Sequence, residues 1–148
     1  VQEEVGFRGA RMIGFDLEPD AIVAVDVTHA TDHPDSPDDK GSDVELGGGP
    51  VIARGSSNHP ALVDAVRTVA DDSGIDVQLS AAGTRTGTDA DAFYTTRGGI
   101  PALSLGIPNR YMHTPVEVVY LGHLEAPATL LADAAAPAQE LVPFALDL

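Results

Sequence analysis

Two glutamates stand side by side at Glu3 and Glu4, a lone aspartate, Asp26, closes an apolar run, and one histidine, His113, sits between Pro108 and Pro115. Carboxylates and an imidazole are the side chains that hold divalent cations such as Zn²⁺ and that accept protons from water. Neighbouring side chains of a strand point to opposite faces, so Glu3 and Glu4 serve one site only where the backbone leaves the strand. Gly6 and Gly9 make such a turn available. Taken alone, an adjacent acid pair is more often a solvated surface feature. An unpaired carboxylate at Asp26 would be costly, and either a cation or a capping role in the next turn would satisfy it. Arg110, Tyr111 and the two prolines describe a constrained loop able to hold the His113 imidazole, although a single histidine is commonly structural.

Other candidates are weaker. His29 and His33 lie near Asp32, Asp35, Asp38 and Asp39, but the segment is proline-broken, matches no calcium-loop spacing, and reads as a solvated acidic loop. His59 is expected at a helix start and His123 on a solvated helix face. Gly47 to Gly49 lacks the Gly-Lys-Ser/Thr of a phosphate-binding loop, and nothing matches a dinucleotide fingerprint. Ser56, Ser57 and Ser104 fall in no nucleophile-elbow pattern.

The elements that must carry these residues follow from periodicity and breakers. A short helix is expected over 7–15, ended by Glu18-Pro19-Asp20. The run 21–27 is apolar and β-branched up to Asp26, the pattern of a strand covered on both faces. Residues 31–49 form a long polar loop. A strand at 50–53 leads to a helix with Asn58 as cap, Pro60 in its first turn and Gly74 at its end. A strand over 75–79, a helix over 89–96, a strand over 100–107 and a helical segment over 121–141, offset at Pro127, complete the chain. Alternating strands and helices predict an α/β layered fold with a largely parallel or mixed central sheet flanked by helices. Asp26 and His113 then fall near the carboxyl ends of strands, where open α/β sheets bind ligands.

The chain has 148 residues, no cysteine and a formal net charge of -15, with Lys40 its one lysine. So acidic a surface repels nucleic acid and anionic membrane. It suits concentrated salt, where screening removes self-repulsion; a halophilic source is the leading explanation and an ordinary acidic cytoplasmic protein the other. The absence of cysteine fits a cytoplasmic location and removes thiol chemistry.

Five ordered blocks carry a resemblance: Glu3-Glu4-Val5-Gly6-Phe7-Arg8-Gly9-Ala10; Val25-Asp26-Val27-Thr28-His29-Ala30-Thr31-Asp32-His33-Pro34; Gly47-Gly48-Gly49-Pro50-Val51-Ile52; Gly87-Thr88-Asp89-Ala90-Asp91-Ala92; and Arg110-Tyr111-Met112-His113-Thr114-Pro115-Val116-Glu117. They resemble the tetrahedral (TET) and glutamyl aminopeptidase family of dinuclear metallopeptidases. The resemblance implies an α/β peptidase domain with two divalent ions, zinc or cobalt, that removes N-terminal residues from peptides. It implies Glu3 as general base, Glu4 and His113 as ligands of one metal, and Asp26 as a ligand of the other. It further implies a homo-oligomer, dodecameric in the family. The family pattern also calls for an upstream histidine, an upstream bridging aspartate and an inserted dimerisation domain. The chain, residues 1–148, therefore reads as the C-terminal part of a catalytic domain, expected to bind metal weakly alone and to need the missing N-terminal half or further copies of itself. Two other readings stay open: a glycoside hydrolase using paired carboxylates, against which the lack of tryptophan counts, and a non-catalytic oligomerisation fragment.

Overall fold

The computed structural model describes residues 1–34, 36 and 42–140. In chain order the elements are α1 (Arg8–Leu17), β1 (Ile22–His29), β2 (Val51–Gly55), α2 (Pro60–Ser73), β3 (Gln78–Ala82), α3 (Ala90–Phe93), β4 (Ala102–Arg110), β5 (Val118–Val119) and α4 (Glu125–Ala135), with 3-10 turns at Leu121–His123 and Ala138–Glu140. Among the described residues no helix is long and apolar enough to cross a membrane.

The strands form one mixed sheet in the order β1-β4-β2-β3, with β5 paired to the end of β4. β1 and β4 run parallel from Ile22 opposite Ala102 to His29 opposite Asn109, which sets Asp26 opposite Gly106. β2 and β3 are also parallel. The two parallel pairs meet antiparallel, where Val51 faces Gly106 and Ile52 faces Leu105.

Helices cover both faces, and strand alternation decides which residues meet which layer. On one face Leu103 and Leu105 of β4 and Ile52 of β2 pack on Leu62, Val63, Val66 and Ala70 of α2 and on Leu130 of α4, with Val23 of β1 alongside. Burying one such aliphatic side chain contributes about 1.5–3 kcal/mol. On the other face Ala102, Ile22 and Ala24 meet Ala10 of α1 and Ala90, Ala92 and Phe93 of α3. Asp26, two residues beyond Ala24, continues onto this second face. Small residues bring α1 close: a β-carbon on Gly14 would stand 2.7 Å from the Phe93 ring. Beyond the packed part, the Arg97 guanidinium lies 4.1 Å over the Phe15 ring and pairs with Glu18 at 2.8 Å.

Several expectations from the sequence are adjusted. Val25 is 47 % exposed, so β1, an edge strand among the described residues, is not covered on both faces along its whole length. α3 spans only Ala90–Phe93: the Thr95 and Thr96 hydroxyls donate back to the Ala92 carbonyl, and Arg97 turns left-handed at φ 53. β3 starts at Gln78 rather than at Ile75, because the Ile75 N–H still closes α2 on the Ala70 carbonyl at 2.9 Å after Gly74 at φ 67. Asn58 does not cap α2, whose N-cap is His59; its side-chain oxygen accepts the Ser104 N–H at 2.6 Å and ties the helix start to β4. Pro127 falls in the first turn of α4 and leaves it unbroken. Leu141, the expected end of that segment, and residues 35 and 37–41 of the polar loop lie outside the described residues.

Candidate functional site

Glu3 and Glu4 lie in the tight turn that leads into α1. Gly6 and Phe7 both donate their N–H groups to the Glu3 carbonyl at 3.1 Å, so the backbone has left any strand and the two acids can share one site. The Glu4 carboxylate approaches the His113 imidazole, Oε1 to Nε2 3.5 Å. Both side chains are largely exposed, so the contact carries little energy; its weight is positional, joining residues 109 positions apart in sequence. Glu3 is half-buried. Burial raises its carboxyl pKa above the ordinary value, the negative charges of Asp26, Glu4 and Asp89 raise it further, and His113 pulls it back. Four acids and one imidazole thus share a single electrostatic neighbourhood.

Asp26 accepts its own neighbour's N–H, from Val27, at 2.7 Å. It opens onto a cavity of about 290 Å³ lined also by Asp89 and Phe93. Asp89 was not singled out from the sequence as a site residue. Its Oδ1 is buried without a hydrogen-bond partner, a state that costs about 1–3 kcal/mol for a polar group. Thr88 rather than Asp89 serves the start of the helix, its hydroxyl accepting the Ala90 N–H at 3.3 Å. The loop is organised by buried Asp91, which accepts from the Thr86 N–H and hydroxyl at 2.9 Å each and from the Gly87 N–H at 2.8 Å. Burial works against the Asp91 charge, but these donors hold its carboxyl below the ordinary range.

His113 stands on a strained loop. Tyr111 and His113 both adopt left-handed backbone, φ 60 and 66, which costs an ordinary residue about 1–2 kcal/mol. Glu117 closes the loop: Oε2 accepts from the Asn109 side-chain amide at 2.8 Å and Oε1 from the His113 N–H at 2.6 Å. The Asn109 bond first, and the His113 N–H second, hold the Glu117 carboxyl below its usual pKa. Next to it Arg110 grips Asp32 with two bonds of 2.8 and 2.6 Å, while the Leu46 N–H donates to Asp32 at 2.9 Å. The Arg110 guanidinium is the main reason the Asp32 carboxyl falls to about 2. His33 packs on the Tyr111 ring at 4.8 Å. The acidic loop therefore braces the loop of His113, with Asp35, Asp38 and Asp39 outside the described residues. His123 is not on a solvated helix face; it lies in a 3-10 turn, where its Nδ1 accepts the Gly49 N–H at 3.2 Å.

The donor types fit a divalent ion, with Glu4 and His113 meeting as a pair and Asp26 and Asp89 lining the adjoining cavity. The count is short: among the described residues no three His, Asp or Glu groups gather closely enough to hold a metal between them.

Fold and site together define a mixed α/β domain with an acidic, imidazole-bearing site built on two loops and the carboxyl half of an edge strand. The family model described as M42 glutamyl aminopeptidase matches residues 1–130. A lysyl aminopeptidase of Pyrococcus furiosus is 42% identical over 119 residues, which are 80% of this chain and 33% of that protein. The crystal structure of a TET aminopeptidase from the marine sediment archaeon Thaumarchaeota archaeon SCGC AB-539-E09 matches 90% of the chain and 37% of its own length, with TM-score 0.81 and 30% identity. The TET1 peptidase of Pyrococcus horikoshii, described as assembling into a tetrahedron or a large octahedral shell, matches 92% of the chain and 38% of its own, with TM-score 0.69 and 31% identity. The chain belongs to the M42 glutamyl aminopeptidase family. It spans well under half the length of these relatives.

Proposed function

We propose that this chain is the C-terminal part of the catalytic domain of a metal-dependent aminopeptidase, acting on the N-terminal residues of peptides. The observation that carries the reading is the meeting of Glu4 and His113 at 3.5 Å beside a half-buried Glu3, in a chain of the M42 family. Glu4 and His113 would hold one divalent ion, zinc or cobalt, and Asp26 would contribute to a second. Such ions supply Lewis acidity that polarises a scissile carbonyl and acidifies water. Glu3 accepts the proton of the attacking water and passes it to the departing amine nitrogen. The remaining ligands come from the longer part of the relatives that this chain does not span, or from another polypeptide. Homo-oligomeric assembly and a cytoplasmic setting belong to the same proposal.

The test is metal content by elemental analysis together with N-terminal residue release from a peptide. Glu3→Gln should keep the metal and lose hydrolysis by about 10²-fold or more, the usual size of a lost proton-transfer group. Glu4→Ala and His113→Ala should each lower metal content. Hydrolysis that survives both a chelator and Glu3→Gln would overturn the reading.

A further inference from the structure

We infer that Glu117 is the positioning residue for His113, a role that rests on the metal-site reading above. The geometry assigns Glu117 this role in three ways. Its carboxylate bridges the end of β4 to the His113 backbone, with one oxygen on Asn109 at 2.8 Å and the other on the His113 N–H at 2.6 Å. Asn109 is a rigid anchor, 1 % exposed and paired in register with both His29 of β1 and Val119 of β5. The residue it steadies is held at φ 66, a left-handed conformation uncommon outside glycine.

Glu117 therefore fixes where the His113 Cα sits and which way its ring leaves the backbone toward Glu4. It touches neither metal nor substrate; it acts through His113. Asn109 also predicts which replacement is tolerated, because its Oδ1 is buried without a partner. With Glu117→Gln the glutamine oxygen accepts the His113 N–H, and its NH₂ donates to Asn109 once that amide turns over, so both links survive. Glu117→Ala removes both links, and Glu117→Asp is one methylene too short to span them.

The experiment titrates the whole chain with Co²⁺ in high salt and follows paramagnetic shifts of the His113 ring by NMR. Circular dichroism verifies the fold of each variant. Glu117→Ala and Glu117→Asp should weaken Co²⁺ binding at His113 by about 10- to 100-fold, the usual cost of losing a residue that supports a metal ligand. Glu117→Gln should stay within about threefold of the parent, because its hydrogen bonds are retained. If the alanine variant fails to fold, the aspartate and glutamine variants decide by the same criterion. A parent-like affinity in Glu117→Ala or Glu117→Asp, or a glutamine variant as weak as these, overturns the inference and leaves the aminopeptidase reading standing. A parent chain whose His113 ring does not respond to Co²⁺ overturns the metal assignment of His113, and this inference with it.

Discussion

Asp32 and Arg110 show how a single pair can matter more for placement than for energy. The pair is bidentate and partly exposed, and the Asp32 carboxyl is lowered from the ordinary 3.8 to about 2. Since the folded-state pKa is depressed, the pair stabilises the fold above the unfolded pKa, and that contribution fades as pH falls from about 4 toward 2. Solvent screening reduces it to about 1 kcal/mol. Urea unfolding of Asp32→Asn should thus lie about 1 kcal/mol below the parent at pH 6, and the gap should narrow by pH 3. A gap that stays constant with pH would mean that the charge of Asp32 is not what holds the two loops together.

The elements explain why part of the site was legible in the sequence and part was not. Glu3, Glu4 and His113 were readable because each sits in a turn marked by glycine or proline, and such punctuation survives into structure. Asp26 was readable as the first charge in an apolar strand. Asp89 was hidden because the sequence places it in the first turn of a helix, where an acidic residue is ordinary, and only the structure shows its Oδ1 buried without a hydrogen-bond partner. β5 was missed for its brevity, two exposed residues whose pairing depends on where β4 ends. The mixed sheet was anticipated, but where its antiparallel seam falls, between β2 and β4, was not, because a non-local pairing has no periodic signature. At this scale Gly106 is the residue to change. It faces Asp26 across the parallel pair, and a β-carbon there would stand 2.8 Å from the Thr28 side chain. Gly106→Ala should destabilise the fold by about 1–3 kcal/mol, the usual cost of overpacking. Displacing Thr28 shifts the strand that carries Asp26, so metal affinity should fall as well, read by denaturant midpoint and metal titration on the same sample. Unchanged values of both would show that β1 moves freely past β4.

The whole molecule sets two opposing forces on one surface. A net charge of -15 on 148 residues pushes copies apart. Against this, Met12, Ile13, Phe15 and Leu17 of α1 are exposed. An apolar helix face beside a strand edge left unpaired among the described residues favours association. Salt decides between the two forces, because the screening length falls from about 10 Å at 0.1 M to about 3 Å at 1 M, and burial of apolar surface does not weaken with it. Copies of the chain should therefore associate through the α1 face in molar NaCl and separate as salt is lowered, with helical circular dichroism declining in parallel. Light scattering coupled to size exclusion measures the first effect. Leu17→Glu, which places a charge at the most exposed apolar position of α1 without touching the site, should abolish association at high salt. A single-chain mass at every salt concentration, or an assembly indifferent to Leu17→Glu, would show that the acidic surface alone governs how this molecule meets its copies.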